Sequence, residues 1–373
     1  MTQPMTRNTD LLPEGLEDRL PASAERITTA MRACLEVLHG HSYNRVRPPL
    51  LEFESSLASR MEGVKTRNMF RFVDPVSLRT LSLRSDITPQ IGRIAATSMK
   101  DAPRPLRLAY CGDTAIIKAS QLDPARERLQ LGGELIGADT VAAASEIVSL
   151  SIEALQAAGL TGISVDFTLP DLVDTLAAQD ASLDAETIEA IRRELDTKDA
   201  GGLTNVGGAG YLPLLYATGP FAEAMSNLRE LDTDGALATR LDGLEQVAKR
   251  VGASARITLD PTERHGFEYQ TWFGFTLYAE GVRGAVGRGG TYNIGGSEEA
   301  ATGFTLYVDR LAEVAALATK DRGTVYLPAE HDPAAVRDLL SQGHRVIGQL
   351  SVDEDPAAMG CTHILRGSEL LAL

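Results

Sequence analysis

Four groups of side chains in this chain have types and spacings suited to holding a small polar ligand. Asp86 and Thr88 stand where a strand-like stretch gives way to a helix, in LRSDITPQIGRIAA. A carboxylate in a helix's first turn is favoured by the unpaired N–H groups there, and the same residue can serve simply as a cap. Gln130 and Glu134 lie in RLQLGGELIG. Their even spacing on a strand points both to one face, which lines a wet cavity or holds hydrogen-bonded core groups. Glu268 and Gln270, in GFEYQTWFGFTLY, are one strand repeat apart, with Tyr269 and the single tryptophan, Trp272, expected on the other face. Tyr292 sits in GAVGRGGTYNIGG, whose glycines let backbone approach a ligand. That run is neither a Walker loop nor a dinucleotide fingerprint, so Tyr292 either closes over a ligand or lies at the surface.

The elements that must position these residues follow from periodicity. Ile27, Met31, Cys34, Leu35 and Leu38 predict an amphipathic helix over 24–38, with Gly40 able to end it in a left-handed cap. Tyr43 to Pro48 reads as a strand, residues 69–84 as a hairpin turning at Asp74-Pro75, and 87–96 as a helix with Pro89 in its first turn. LRLAYCGD is a further strand. Ile188, Ile191 and Leu195 mark one helix and Leu237, Leu241, Leu244 and Val247 another, joined by a glycine-rich connector, GGLTNVGGAGYLP. Strand alternation returns at 256–259 and 272–278. After Arg322 a strand, a helix opened by Asp332-Pro333 and closed by Gly343, and strands at 345–350 and 362–365 form a small α/β unit.

The expected fold is α+β: an antiparallel sheet flanked by helices, its first part over 1–166 and its second over 259–318. A mainly helical insertion occupies 167–258 and a short α/β unit 319–373. The 373 residues exceed one ordinary core. A net charge of −15 argues against a general nucleic-acid surface. Three dispersed cysteines suit a reducing cytoplasm, and no apolar run predicts secretion or membrane insertion. Six scattered histidines, no HExxH and no GxSxG give metal, protease and hydrolase chemistry little support, and no cofactor is expected.

In this order the segments resemble histidyl-tRNA synthetase, a class II aminoacyl-tRNA synthetase. The first helix with YNRVRPPLLE is similar to motif 1, LRLAYCGD with RLQLGGELIG to motif 2, and TGFTLYVDRL to motif 3. LRSDITP is similar to that family's LRPEGTA, and HGFEYQTW to its RGLDYYTG. The resemblance spans all but the extreme ends. It implies a histidine-binding set of Asp86, Thr88, Gln130, Glu134, Glu268, Tyr269 and Tyr292. Asp86 replaces a glutamate that accepts from the α-ammonium, Thr88 is unchanged, and Gln270 departs from a family tyrosine.

The ATP side is degenerate. Motif 2 of the synthetases carries FRxE, whose arginine grips the ATP α-phosphate; the aligned residues are Ile116 and, for the glutamate, Lys118. An isoleucine cannot supply the electrostatic stabilisation such a step needs. The family's histidine-specific arginine aligns with His265, or with Arg264 one residue earlier. Motif 3 keeps Arg310 but has Tyr307 where a glycine leaves room beside the adenine, so a ring is expected to fill that slot.

This pattern is similar to the ATP phosphoribosyltransferase regulatory subunits, synthetase-like paralogues without aminoacylating activity. The resemblance implies a protein with no catalytic site of its own. Its partner would be the short catalytic subunit that joins ATP to phosphoribosyl pyrophosphate in the first step of histidine biosynthesis. Histidine would be the feedback effector. Self-association through motif 1 and a hetero-octamer are also implied. A C-terminal unit shorter than an anticodon-binding domain speaks against a tRNA role. The alternatives are a divergent histidyl-tRNA synthetase using Lys118 or Arg126 for the phosphate, and an enzyme loading an amino acid onto a carrier protein. Ile116 and Tyr307 count against both.

Overall fold

The computed structural model describes residues 12–58, 69–118, 124–178, 183–264, 270–295, 297, 299–314 and 323–373. The chain divides into two compact units, Met1–Leu317 and Ala318–Leu373. In the first unit, α1 (Pro21–Gly40) opens with proline in its first turn and buries Ala30, Cys34 and Leu38, one helical stripe. Gly40 is its last helical residue. The left-handed turn expected there falls instead on Ser42, at φ 64°, which lets the Tyr43 N–H return to the Leu38 carbonyl at 2.9 Å.

After β1 (Asn44–Arg45) come β2 (Leu51–Phe53) and the short α2 (Glu54–Ala58). The expected hairpin is β3 (Arg71–Val73) and β4 (Thr80–Leu83), and β2 adds to it as a third strand. The Asp74 carboxylate accepts from the Val76 and Ser77 N–H groups, which tightens the turn. Helix α3 (Thr88–Ala96) leads to the long pair β5 (Leu106–Ala115) and β6 (Glu127–Ile136). Then follow α4 (Val141–Ala157), which sequence periodicity had not singled out, and β7 (Ser164–Thr168).

Between β7 and β9 lie α5 (Leu172–Ala177), α6 (Ala185–Asp196), α7 (Ala200–Asn205), a 3₁₀ turn at Ala209–Tyr216, β8 (Gly219–Pro220), α8 (Phe221–Leu231) and α9 (Ala238–Val251). The presumed glycine-rich connector is therefore partly helical. Asp199 makes this possible by accepting from the Gly202 N–H at 2.8 Å, a cap strong enough to start a poor helix former. Leu203 and Leu214 from this stretch are buried in the main core.

The unit closes with β9 (Arg256–Leu259), β10 (Gln270–Tyr278), β11 (Gly287–Asn293), β12 (Ala300–Tyr307) and α10 (Val308–Val314). Nine strands form one sheet in the order β1-β5-β6-β12-β11-β10-β7-β9-β8. All pairings are antiparallel except β1–β5 and β7–β9. Odd-numbered residues of β6 and even-numbered residues of β12 pack with α1, α4 and α9 in a large apolar core. The opposite face carries a smaller cluster, in which Ile87 and Ile91 meet Leu108, Tyr110, Ile136 and Ala301. The candidate site lies on this second face.

The second unit orders its strands β14 (Arg345–Gly348), β13 (Thr324–Leu327), β15 (His363–Arg366) and β16 (Glu369–Ala372), with α11 (Pro333–Ser341) alongside. Asp332 caps α11 by accepting from the Ala334 N–H, and Gly343 leaves it at φ 84°. The final strand, β16, was not foreseen; it is exposed and its polar-apolar contrast is weak. Among the described residues no helix is long and apolar enough to cross a membrane.

Candidate functional site

Three glycines lie side by side across the sheet: Gly274 pairs with Gly290, Gly290 with Gly303, and Gly303 with Glu134. With no Cβ on three adjacent strands the sheet has a trough. Side chains from its ends fold over it. A Cβ at Gly303 would land on the Glu134 carboxylate, and one at Gly274 or Gly290 would meet the Gln270 amide. What remains open is a cavity of about 20 Å³, little more than a water's worth, lined by Thr88, Glu134, Gln270, Arg288, Tyr292 and Thr305 among others.

Glu134 is the centre of the polar network. The Tyr292 hydroxyl donates to its Oε2 at 2.9 Å and the Tyr110 hydroxyl to its Oε1 at 3.3 Å. Tyr110 also lies 2.5 Å from the Thr305 hydroxyl and 3.4 Å from that of Thr88. Asp86 accepts from the Thr88 N–H at 3.2 Å and from its hydroxyl at 3.3 Å, so the capping role read from sequence is present too. Burial dominates the electrostatics. It pushes the Glu134 carboxyl up to about 8, with the nearby Asp86 charge adding to the rise and the two tyrosine hydroxyls opposing it. Burial likewise raises Asp86 and drives the Tyr110 phenol well above its usual value. Two buried carboxyls, both raised by desolvation, gain from the arrival of a cationic or N–H-rich group.

Asp86, Thr88, Gln130, Glu134 and Tyr292 therefore converge on one face. Gln130 does so indirectly: its carbonyl accepts from the Ile87 N–H at 3.1 Å, fastening the start of α3 to the sheet. Glu268, Tyr269 and His265 lie outside the described residues. Arg264 points elsewhere, its backbone N–H on Asp196 and its guanidinium on Glu189 of α6. Gln270 faces the trough, donating to the Gly289 carbonyl at 2.8 Å, whereas Trp272 turns to the helices and donates to the Asp139 carbonyl at 3.0 Å. Regular alternation would put both on one side. The irregular register between Gln270 and Gly274 separates them and brings the Trp272 and Phe273 rings within 5.3 Å.

Tyr110, Thr305, Gly303 and Arg288 were missed from sequence. Tyr110 carried a faint signal, as the one polar tip among Leu106 and Leu108 on the same face of β5. Gly132, opposite it, gives its ring room.

Ile116, Tyr307 and Arg310 also come together. They line a second cavity of about 600 Å³, which shares Arg288 with the trough. Tyr307 forms part of its wall, its ring 5.7 Å from the Arg310 guanidinium. Lys118 is exposed and is not among the lining residues.

An antiparallel sheet backed by helices is the architecture of a class II synthetase-like protein, and here it carries a glycine-floored trough and a buried acid-tyrosine cluster. The histidyl-tRNA synthetase family matches residues 15–311. The fold is similar to a Bacillus halodurans structure titled an ATP phosphoribosyltransferase regulatory subunit/histidyl-tRNA synthetase (TM-score 0.80, 27% identity, 96% of this chain and 97% of that one). It is also similar in fold to the Nostoc histidyl-tRNA synthetase (TM-score 0.76, 15% identity, 95% and 90% covered). Among curated relatives, the ATP phosphoribosyltransferase regulatory subunit of Paramagnetospirillum magneticum is 40% identical, with 96% of both chains covered. That of Rhodospirillum centenum is 38% identical, with 98% and 97% covered. The chain belongs to the family of ATP phosphoribosyltransferase regulatory subunits.

Proposed function

We propose that this chain senses histidine in the glycine-floored trough and conveys its occupancy to a short catalytic subunit of ATP phosphoribosyltransferase. Inhibition of the first step of histidine biosynthesis would follow. The buried Glu134, held by Tyr110 and Tyr292 and backed by Asp86, carries the reading. The chemistry matches a zwitterion with an N–H-bearing side chain. Two carboxyls take the α-ammonium and the imidazole N–H, while Arg288 on the same wall offers a guanidinium to the α-carboxylate. Glu268 and Tyr269, by resemblance, complete the set. The trough is closed by Glu134 and Gln270, so binding requires these side chains to swing away and a ligand to replace them over the glycines. Association with the partner, through a motif 1 homodimer and a hetero-octamer, belongs to the same proposal.

Isothermal titration of the assembled complex with histidine tests it. Binding at micromolar to millimolar histidine, abolished by Glu134→Ala together with feedback inhibition, is the expected result. No binding, or unchanged feedback in the variant, rejects the reading. ATP–pyrophosphate exchange with histidine present should stay at background; activity above it would favour the divergent synthetase instead.

A further inference from the structure

A lysine stands at the end of α6 where a helix ordinarily places glycine. The Lys198 N–H returns to the Leu195 carbonyl at 3.1 Å and the Asp199 N–H to the Glu194 carbonyl at 2.9 Å, a Schellman turn. The corner residue, Lys198, takes φ 59°, a left-handed conformation that disfavours any residue with a Cβ. Its side chain accounts for its presence. The ammonium donates to Asp260 Oδ1 and to the Thr262 hydroxyl, both at 2.6 Å. Two other residues of α6 hold the same segment. Asp196 accepts from the Arg264 backbone N–H at 2.9 Å, and Glu189 from the Arg264 guanidinium at 3.3 Å. Asp260 also accepts from the Thr262 N–H and hydroxyl at 3.2 Å each, which shapes the segment around the ammonium. Residues 260–264 are therefore gripped at both ends.

The charges in this corner make the lysine hard to replace. Asp166 on β7 lies close enough to Asp260 and Glu263 to interact with both, and Glu263 also faces Arg288 on β11. Burial, with the Asp166 and Asp260 charges adding to it, pushes Glu263 up to about 7. The Lys198 ammonium opposes the rise in both Asp166 and Glu263, so removing it leaves three crowded carboxyls with less to offset them. The gripped segment leads to the trough. Residues 265–269, which include Glu268 and Tyr269, join Arg264 to Gln270, whose side chain faces the trough and donates to the Gly289 carbonyl. Anchors at Arg264 and Gln270 restrict the five residues between them, so less conformational entropy remains to be lost when a ligand binds.

We propose that the turn between α6 and α7 is a clasp through which the helical insertion sets histidine affinity, with Lys198 as its positioning residue. This rests on the reading of the trough as a histidine site. The test compares Lys198→Gly and Lys198→Arg with wild type in the assembled complex. Glycine suits the left-handed turn and removes the ammonium, whereas arginine restores a cation. In calorimetric titration with histidine, Lys198→Gly should weaken binding by about threefold to tenfold, and Lys198→Arg should recover most of the loss. Without histidine, hydrogen–deuterium exchange over 260–264 should be faster in the glycine variant than in wild type. Asp196→Ala, which removes the acceptor of the Arg264 N–H, should reproduce both effects and carries the test if Lys198→Gly fails to fold. The proposal is overturned if the folded variants bind histidine as tightly as wild type, if arginine recovers nothing, or if exchange over 260–264 is unchanged. A wild-type complex that binds no histidine would reject the trough's reading as well, and so is told apart from a failure confined to the variants.

Discussion

Glu134 sets two opposing demands on one side chain. Burial raises its carboxyl to about 8 against an ordinary value of 4.5. Below about pH 4.5 both folded and unfolded chains carry the proton. Between there and about 8 only the folded chain keeps it, so stability falls as pH rises through this window and the loss is complete above it. Asp86, also raised, acts in the same direction. Glu134→Gln removes the charge but keeps the shape. Its melting temperature should therefore fall less than the wild type's between about pH 6 and about pH 9, as read by circular dichroism. The same shift makes ligand binding proton-coupled. A cationic group arriving beside Glu134 draws the carboxyl back down, so histidine should expel about one proton at neutral pH and fewer at higher pH. Titration in two buffers of different ionisation enthalpy measures this, and equal heats in both would contradict it. Gly303 makes a complementary point. A methyl there displaces the Glu134 carboxylate, so Gly303→Ala should cost about 1–3 kcal/mol in urea unfolding and abolish histidine binding.

At the level of elements, the site depends on how α3 is moored to the sheet. The Gln130 carbonyl occupies the buried Ile87 N–H, next to the Thr88 N–H that the Asp86 carboxylate accepts from. Gln130→Leu fills the same space and leaves the N–H unsatisfied. A loss of about 1–3 kcal/mol in chemical denaturation is expected, with Asp86 and Thr88 displaced and histidine affinity reduced. A variant as stable as wild type would show that α3 does not rely on this bond. How far such relations were legible in sequence follows from their range. Asp86, Thr88, Gln130 and Glu134 stand on strongly patterned segments, so period and turn chemistry placed them on the right elements. The glycine trough was not legible, because it exists only once Gly274, Gly290 and Gly303 pair across three strands. Trp272 was expected on the face opposite Gln270 and lies there, but through a register irregularity between Gln270 and Gly274 that local alternation cannot reveal. Of the cavity beside Ile116, the resemblance had named Tyr307 and Arg310, whereas Arg128, Arg283 and Arg288 reach it only through the fold.

Across the whole molecule, a regulatory role requires that the trough favour one quaternary state over another. Histidine binding both states equally would shift nothing, however tightly it bound. Linkage then makes a demand that can be checked without any assay of catalysis. If histidine changes the affinity between this chain and the catalytic subunit by some factor, the catalytic subunit must change this chain's affinity for histidine by the same factor. Couplings of this kind are typically about 1–3 kcal/mol, so the two histidine dissociation constants, for the chain alone and in complex, should differ by roughly 5–150-fold. The closed trough gives a physical source for the difference. Swinging Glu134 and Gln270 off the glycines exposes backbone and breaks the tyrosine bonds, and a partner that stabilises the opened arrangement lowers that cost. Glu134→Ala should abolish binding to both, whereas a substitution confined to the partner interface should bring the two constants together while leaving the free chain's constant unchanged. Identical constants in the wild-type chain and complex would mean that trough occupancy is not communicated to the partner. Subunit affinity, measured with and without saturating histidine, should give the same factor independently.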